Sequence, residues 1–338
     1  MVRVLLADRS SAVRAVLRRF LEAASEISIV GEADDGPGIV KLAGGTAADA
    51  VVLDLDLPVL SGEALIDEIS ARRRLPIIVM TPGKGCGDQT RRAFRTLNRG
   101  VVGVFPKPNA PEEWQEIGRL LCEAIRNLGT DVRGGYRDVS KVGESPKKCV
   151  IDFLAIGAST GGPGALFDLL RGLGRAPPIG VAVVQHISED FEVALAEWLA
   201  GELELDVGTA REGEVLVKGS VRIAPAGCHL LLEPGGILRL DLNTPAVKGH
   251  RPSVDILFGS LRAHPPSRVA AVLLSGMGDD GADGMDALHH EGVLTIVQDE
   301  RSCAVFGMPG AALARGAAAR VMSPPEIARL VTRDGERE

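Results

Sequence analysis

Cys149-Val-Ile-Asp-Phe-Leu-Ala-Ile-Gly-Ala-Ser-Thr-Gly-Gly-Pro-Gly164 is the stretch on which the reading of this chain turns. Its apolar run, Phe153 to Ile156, has the form of a buried strand and stops abruptly at Gly157-Ala158-Ser159-Thr160-Gly161-Gly162. Apolar residues then return at helical spacing from Ala165 to Leu173. A strand that breaks on glycines and re-enters a helix through a serine has the layout of a nucleophile elbow. Glycine permits the sharp turn, and the helix N-terminus offers backbone N–H groups to a developing oxyanion. The same layout also serves as a phosphate cradle or a plain turn. Alone, it nominates Ser159 without naming a reaction.

Two further strands place partners for that serine. Ile179-Gly-Val-Ala-Val-Val-Gln-His186 is apolar and ends on a histidine, and Arg268-Val-Ala-Ala-Val-Leu-Leu-Ser275 runs into Gly276-Met-Gly-Asp-Asp-Gly281. Ser159, His186 and an aspartate, Asp279 or Asp280, therefore each follow the carboxyl end of a strand, where an open α/β sheet builds its site. Serine is a weak nucleophile until an imidazole takes its proton, and a carboxylate must hold the imidazole's tautomer. The chain order Ser, His, Asp differs from the Ser, Asp, His order of α/β-hydrolases and implies another fold. Nothing in the sequence sets His229, His264 or the pair His289-His290 beside the serine, so they are assigned to core or surface. His250 opens the polar cluster His250-Arg-Pro-Ser-Val-Asp255, which suits either the mouth of the site or the start of a helix.

Composition narrows the class. A chain of 338 residues has room for two domains of roughly 100–200 residues each. Hydrophobic residues make up 45% but aromatics only 3%, so the cores are aliphatic, as in parallel α/β layers. A net charge of −7 disfavours nucleic acid as a partner. The five cysteines are scattered without a C-x-x-C pair, which disfavours a metal site. Met1 to Asp8 is strand-like and lacks the marks of a signal peptide. No apolar run approaches the roughly 18–20 residues that span a bilayer. The expectation is a soluble, cytoplasmic protein without membrane insertion.

Upstream, strands and helices alternate. Val2 to Ala7 is a strand, and Val13, Val16, Leu17, Phe20, Leu21 and Ala24 make a helical face capped by Ser10 or Ser11. Strand-like runs recur at Ile27–Gly31, Ala50–Leu53, Pro76–Met80 and Val101–Phe105. Helical stretches lie near Gly62–Ser70, Gln89–Leu97 and Glu112–Asn127. This alternation predicts a doubly wound parallel sheet over residues 1–127. Asp8, Asp54, Thr81 and Lys107 all fall at the carboxyl ends of its strands. Two carboxylates, a hydroxyl and an amine there suit a phosphorylatable aspartate: Asp54 attacks, Asp8 helps hold Mg²⁺, and Thr81 and Lys107 bind phosphoryl oxygens. Residues 128–148 are polar, aperiodic and contain glycine and proline, as in a linker, and 149–338 form the second domain.

The first 125 or so residues resemble a two-component receiver domain in Ala7-Asp8, Val51-Val-Leu-Asp54-Leu-Asp-Leu-Pro58, Met80-Thr81 and Phe105-Pro-Lys107-Pro108. The second domain resembles the CheB family of chemotaxis protein-glutamate methylesterases. That likeness rests on Ile156-Gly-Ala-Ser-Thr-Gly-Gly162, Gln185-His186, Ile223-Ala-Pro-Ala-Gly227 with His229, His250-Arg-Pro-Ser-Val-Asp255, Ser275-Gly-Met-Gly-Asp-Asp-Gly281 and Val305-Phe-Gly-Met-Pro309.

The resemblance implies an α/β domain with a parallel sheet in which Ser159, His186 and Asp280 form a triad. Asp280 is preferred to Asp279 because it precedes the motif's Gly281. Backbone N–H groups at Thr160 and near Met277 supply the implied oxyanion hole, and the esterase needs no cofactor. The implied substrates are glutamate methyl esters, and specific glutamines, on the cytoplasmic domains of chemoreceptors. A cognate histidine kinase would act on a receiver that masks the esterase until it is phosphorylated.

The receiver departs from its family at one decisive position. Arg9 stands where a second acidic residue normally ligates Mg²⁺, and its guanidinium is expected to pair with Asp8 or Asp54 instead. Val104 replaces the usual switch aromatic and Pro82 a small residue. A degenerate receiver, impaired in phosphorylation and weak in Mg²⁺ binding at Asp8 and Asp54, is the expectation. The competing readings are a non-enzymatic signalling scaffold and a DNA-binding regulator. An intact triad argues against the first, and the absence of a basic helix-turn-helix stretch argues against the second.

Overall fold

Aliphatic runs that bury both faces become parallel strands, and the amphipathic stretches between them become the crossover helices. The computed structural model describes residues 1–82, 87–108, 110, 113–129, 151–189 and 191–333. The chain divides into two compact units, Met1–Arg133 and Gly134–Glu338.

In the first unit the elements are β1 (Val2–Ala7), α1 (Ser11–Glu22), β2 (Ile27–Ala33), α2 (Gly36–Gly45), β3 (Ala50–Asp54), α3 (Gly62–Arg72), β4 (Ile77–Pro82), α4 (Gly87–Arg95), β5 (Val101–Lys107) and α5 (Glu113–Gly129). All pairings in the sheet are parallel, in the order β2-β1-β3-β4-β5. Val4, Leu6, Val52, Ile78 and Met80 meet Leu17 and Leu21 of α1 and Leu121, Ala124 and Ile125 of α5 in one aliphatic core. Ser10, rather than Ser11, caps α1, its hydroxyl accepting from the Val13 N–H at 3.4 Å.

Two sequence expectations need correction here. The strand-helix alternation left α2 unread, because four glycines and a proline in ten residues hide its period. Asp35 nonetheless caps it through the Gly38 N–H at 2.7 Å, and Ile39, Val40 and Ala43 anchor its buried face. Helix α5 also continues to Gly129, so Leu128 and Gly129 belong to it and not to a linker. The rest of the expected linker, 130–148, lies outside the described residues.

The second unit comprises β6 (Phe153–Ala158), α6 (Gly162–Leu173), β7 (Gly180–Gln185), α7 (Phe191–Leu203), β8 (Asp206–Thr209), β9 (Ser220–Ile223), β10 (His229–Glu233), β11 (Ile237–Asp241), α8 (Val254–Ser260), β12 (Val269–Leu273), α9 (Ala282–His290), β13 (Leu294–Gln298), α10 (Met308–Ala314), β14 (Arg320–Met322) and α11 (Pro324–Arg333). Seven strands make one parallel sheet, ordered β14-β13-β12-β6-β7-β9-β8, while β10 and β11 form a separate antiparallel hairpin.

Sheet order reverses beside β6. The chain first builds outward through β7 and its neighbours, then returns to place β12 on the other side of β6. That reversal is the topological switch point of an open α/β sheet, with its crevice beyond the carboxyl ends of β6 and β12. One sheet face is covered by the hairpin through Leu230, Leu232 and Leu238, by α8 through Val254, Leu257 and Phe258, and by α9 through Met285 and Leu288. Among the described residues no helix is long and apolar enough to cross a membrane. Cys122, Cys228 and Cys303 are free thiols.

Candidate active site

Gly157 and Gly161 make the turn after β6 possible. A side chain at Gly157 would collide with Val254. Gly161 has φ +78°, and a Cβ there would lie 2.5 Å from the Ala304 Cβ and 2.6 Å from the Ser275 hydroxyl. Ser159 therefore projects between the strand end and the first turn of α6. Its own N–H donates to the Ser275 carbonyl at 3.0 Å, tying the elbow to the loop after β12. Gly161→Ala should cost roughly 2–4 kcal/mol by combining left-handed strain with overpacking. Denaturant unfolding checks this, and a loss below the uncertainty of the measurement would contradict the packing described.

His186 follows β7, with its N–H on the Ala158 carbonyl at 2.9 Å. Its Nε2 lies 2.8 Å from Oδ2 of Asp280. The other ring nitrogen, Nδ1, is buried with no hydrogen-bond partner among the described residues. With Nε2 donating to the carboxylate, Nδ1 keeps the lone pair of the neutral ring and is the atom able to take up a proton. The Ser159 hydroxyl makes no hydrogen bond within the described residues, leaving its proton uncommitted.

Asp280 is the carboxylate of this site. It is 1% exposed, and it also accepts from the Ser253 hydroxyl at 2.8 Å and from the N–H groups of Val254 at 2.8 Å and Asp255 at 3.1 Å. Burial pushes its pKa up, but the His186 contact and these donors outweigh burial and hold it well below the ordinary carboxylate range. Asp279, its neighbour, faces outward with its side chain 48% exposed and pairs with Lys248 at 3.4 Å and Arg315 at 3.2 Å. Burial and partners decide between the two carboxylates that the sequence left adjacent.

The N–H groups of Thr160 and Met277 make no protein hydrogen bond among the described residues, as donors reserved for an oxyanion would. A Cβ at Gly276 would meet Met308 and would lie 3.0 Å from the Ser159 Cβ, so the loop bearing Met277 passes directly against the serine.

Three supporting residues were not assigned roles from sequence. Gln185 is buried, and its Nε2 donates to both the Ser159 carbonyl, at 2.8 Å, and the His186 carbonyl, at 3.0 Å. A lone polar residue ending an all-apolar strand was the available signal. Ser253 holds Asp280, and the fully buried His229 holds Ser253: its Nδ1 accepts from the Ser253 N–H at 3.1 Å while Nε2 donates to the Pro245 carbonyl at 3.1 Å. His264 donates to the Leu232 carbonyl at 3.0 Å and packs edge-on against Phe153, a core role. His289 and His290 end α9. Gln185→Leu should lower turnover by roughly 10–100-fold through misplaced reacting groups, with unfolding followed in parallel to separate this from loss of fold.

In the first unit, Asp8 and Asp54 end adjacent strands at the β1/β3 switch point, and each is 1% exposed. Lys107 spans them, its Nζ 2.8 Å from Asp8 and 2.7 Å from Asp54. Thr81 is buried at the end of β4. The four polar residues expected at this sheet edge are there, but Arg9 does not pair as expected. It is exposed and makes no ion pair among the described residues; Lys107 bridges both carboxylates instead, one positive charge against two negative ones. The side chain of Asp56 is engaged by Gln89, at 3.1 Å. Among the described residues no three acidic, histidine or cysteine side chains gather to hold a metal ion; Asp8 and Asp54 are the two carboxylates at this edge, both in contact with Lys107.

Comparison with known proteins agrees with both units. Residues 154–331 match the CheB methylesterase family and residues 4–118 the response regulator receiver domain. Protein-glutamate methylesterase/protein-glutamine glutaminase 2 of Anaeromyxobacter dehalogenans is 39% identical over 335 residues, covering 98% of this chain and 96% of that protein. Protein-glutamate methylesterase/protein-glutamine glutaminase 3 of Hahella chejuensis is 36% identical, with 97% of each chain covered. Among solved structures, the Thermotoga maritima CheB methylesterase catalytic domain superposes with a TM-score of 0.52 at 33% identity, covering 54% of this chain and 98% of that one. With its switch-point serine, its His–Asp pair and relatives matched over nearly their whole length, the chain belongs to the CheB methylesterase family, an esterase domain preceded by a receiver.

Proposed function

We propose that the protein hydrolyses γ-methyl esters of glutamate on the cytoplasmic domains of chemoreceptors, and deamidates glutamines at such positions, in the cytoplasm. The observation that carries this reading is the His186–Asp280 pair beside an elbow serine whose hydroxyl is uncommitted. Ser159 attacks the γ-carbonyl while Nδ1 of His186 takes its proton. Asp280 stabilises the resulting imidazolium, and the N–H groups of Thr160 and Met277 receive the oxyanion. His186 returns the proton to the departing methoxide, releasing methanol, or to the departing amide nitrogen, releasing ammonia. Water then attacks the γ-glutamyl ester with His186 again as base, restoring Ser159 and leaving glutamate. No metal or cofactor enters these steps.

The receiver is read as a regulatory domain that addresses a cognate histidine kinase but accepts phosphate at Asp54 poorly. Incubating the chain with methyl-labelled chemoreceptor and measuring released methanol tests the catalytic reading. Absence of release, with the protein folded, would leave the scaffold reading in its place.

A further inference from the structure

His250 lies face to face with His186, ring centroids 3.8 Å apart and planes 6° from parallel. We propose that His250 is a positioning residue, a plate that holds the His186 ring in the plane its proton transfers require; the inference rests on the esterase reading of the triad. The Asp280 contact pins one atom of the ring, Nε2. One hydrogen bond leaves the ring free to tilt about that atom, and a tilt moves Nδ1 away from the serine. A flat ring against its face removes this freedom.

The plate is itself fixed. Val247 and His250 exchange backbone hydrogen bonds, 2.9 and 3.0 Å, around a two-residue turn. Lys248, at φ +50°, and Gly249, at φ +83°, occupy its left-handed centre, as a type I′ turn requires. A lysine in that region is strained, and its side chain shows what offsets the strain. Lys248 Nζ reaches Asp283 at 2.7 Å, Asp255 at 2.9 Å, Asp279 at 3.4 Å and the Asp279 carbonyl at 3.1 Å. Asp255 lies in the first turn of α8, whose first N–H groups hold Asp280, and Asp279 precedes Asp280 in the chain. The residue two before the plate is thus clamped to both flanks of the carboxylate that orients His186. Plate and carboxylate move as one frame around the imidazole.

The test compares His250→Ala, which removes the plate, with His250→Phe, which keeps a flat ring without its nitrogens. Each full-length variant is assayed for methanol release from methylated receptor and for the rate at which a fluorophosphonate labels Ser159. Alanine should lower kcat and labelling roughly 10–100-fold by loosening the imidazole, with KM within about twofold because ground-state binding is untouched. Phenylalanine should recover most of both rates. The His186 ring resonances should shift on loss of the neighbouring ring current in the alanine variant and stay near their place in the phenylalanine variant.

An unchanged kcat in His250→Ala would overturn the proposal. So would a phenylalanine variant as slow as alanine, since the nitrogens rather than the flat face would then be at work. Should His250→Ala fail to fold, Lys248→Asn, which suits the left-handed turn but drops the clamp, must show a lower kcat at unchanged KM or the proposal falls. A wild-type chain that labels with fluorophosphonate yet releases no methanol fails the substrate reading alone, and the labelling comparison still decides the role of His250.

Discussion

Ser159→Ala and His186→Ala are each expected to lower methanol release by roughly 10⁴–10⁶-fold, and the double variant is expected to lose little more. The two act as one unit: without the base the hydroxyl keeps its proton, and without the hydroxyl the base has nothing to activate. Asp280→Asn should cost roughly 10²–10⁴-fold, because an amide facing Nε2 no longer favours the tautomer with the lone pair on Nδ1. Asp279→Asn should cost a few-fold at most. Its carboxylate is half exposed in ion pairs with Lys248 and Arg315, and exposed pairs of that kind contribute about 0–1 kcal/mol. Single-turnover methanol release, with thermal unfolding as a control for each variant, checks the ranking. If Asp279→Asn proves the more damaging, Asp280 is not the orienting carboxylate.

The second large effect concerns the receiver. Phosphoryl-Asp54 should form slowly or not at all in this chain with a small phosphodonor such as acetyl phosphate, and should form readily in Arg9→Asp. Lys107 already sits within 2.8 Å of both buried carboxylates. Among the described residues no third acidic side chain joins these two carboxylates to share a divalent cation. Restoring the carboxylate at position 9 changes the local charge by about two units and supplies the missing oxygen donor. Arginine stays protonated at any ordinary pH, so no change of buffer substitutes for the mutation. A Mg²⁺ titration of labelling in both proteins is the measurement. Equal, rapid labelling would show that Asp56 or another group completes the site and that the receiver switches normally. With slow labelling, esterase activity should respond little to the phosphodonor in the natural chain and more in Arg9→Asp.

Much of this architecture was legible because it depends on local pattern. Strand, glycine, serine and helix at 153–173 announced an elbow, and apolar strands ending on His186 and before Asp279-Asp280 announced its partners. Other features answer to tertiary contacts that no local period records. Four glycines erased the helical signature of Gly36–Gly45, yet burial of Ile39, Val40 and Ala43 stabilises the helix. The choice of Asp280 over Asp279 rests on which carboxylate turns inward to Ser253 and Val254, a matter of chain direction after β12. His229 lies far from the serine in sequence and does not belong to its triad, but it braces the residue that holds Asp280. Arg9 shows the converse limit. Its identity was plain, but its side chain is exposed and makes no ion pair among the described residues, while Lys107 reaches both carboxylates from β5.

The strand order beside β6 has a kinetic consequence. Phe153 pairs in register with Val269, and Gly157 with Leu273, across more than a hundred intervening residues. A parallel pairing that distant repays its loop-closure entropy only late, so folding of this unit should be slow and of high contact order. During synthesis the strand that leads into Ser159 emerges long before the strand that completes its other edge. Until β12 docks, Ser159 lacks the Ser275 carbonyl that ties down its N–H, and His186 lacks Asp280. A nascent or partly folded chain therefore lacks the assembled Ser159–His186–Asp280 site, and return of esterase activity after dilution from denaturant should coincide with the slowest structural phase.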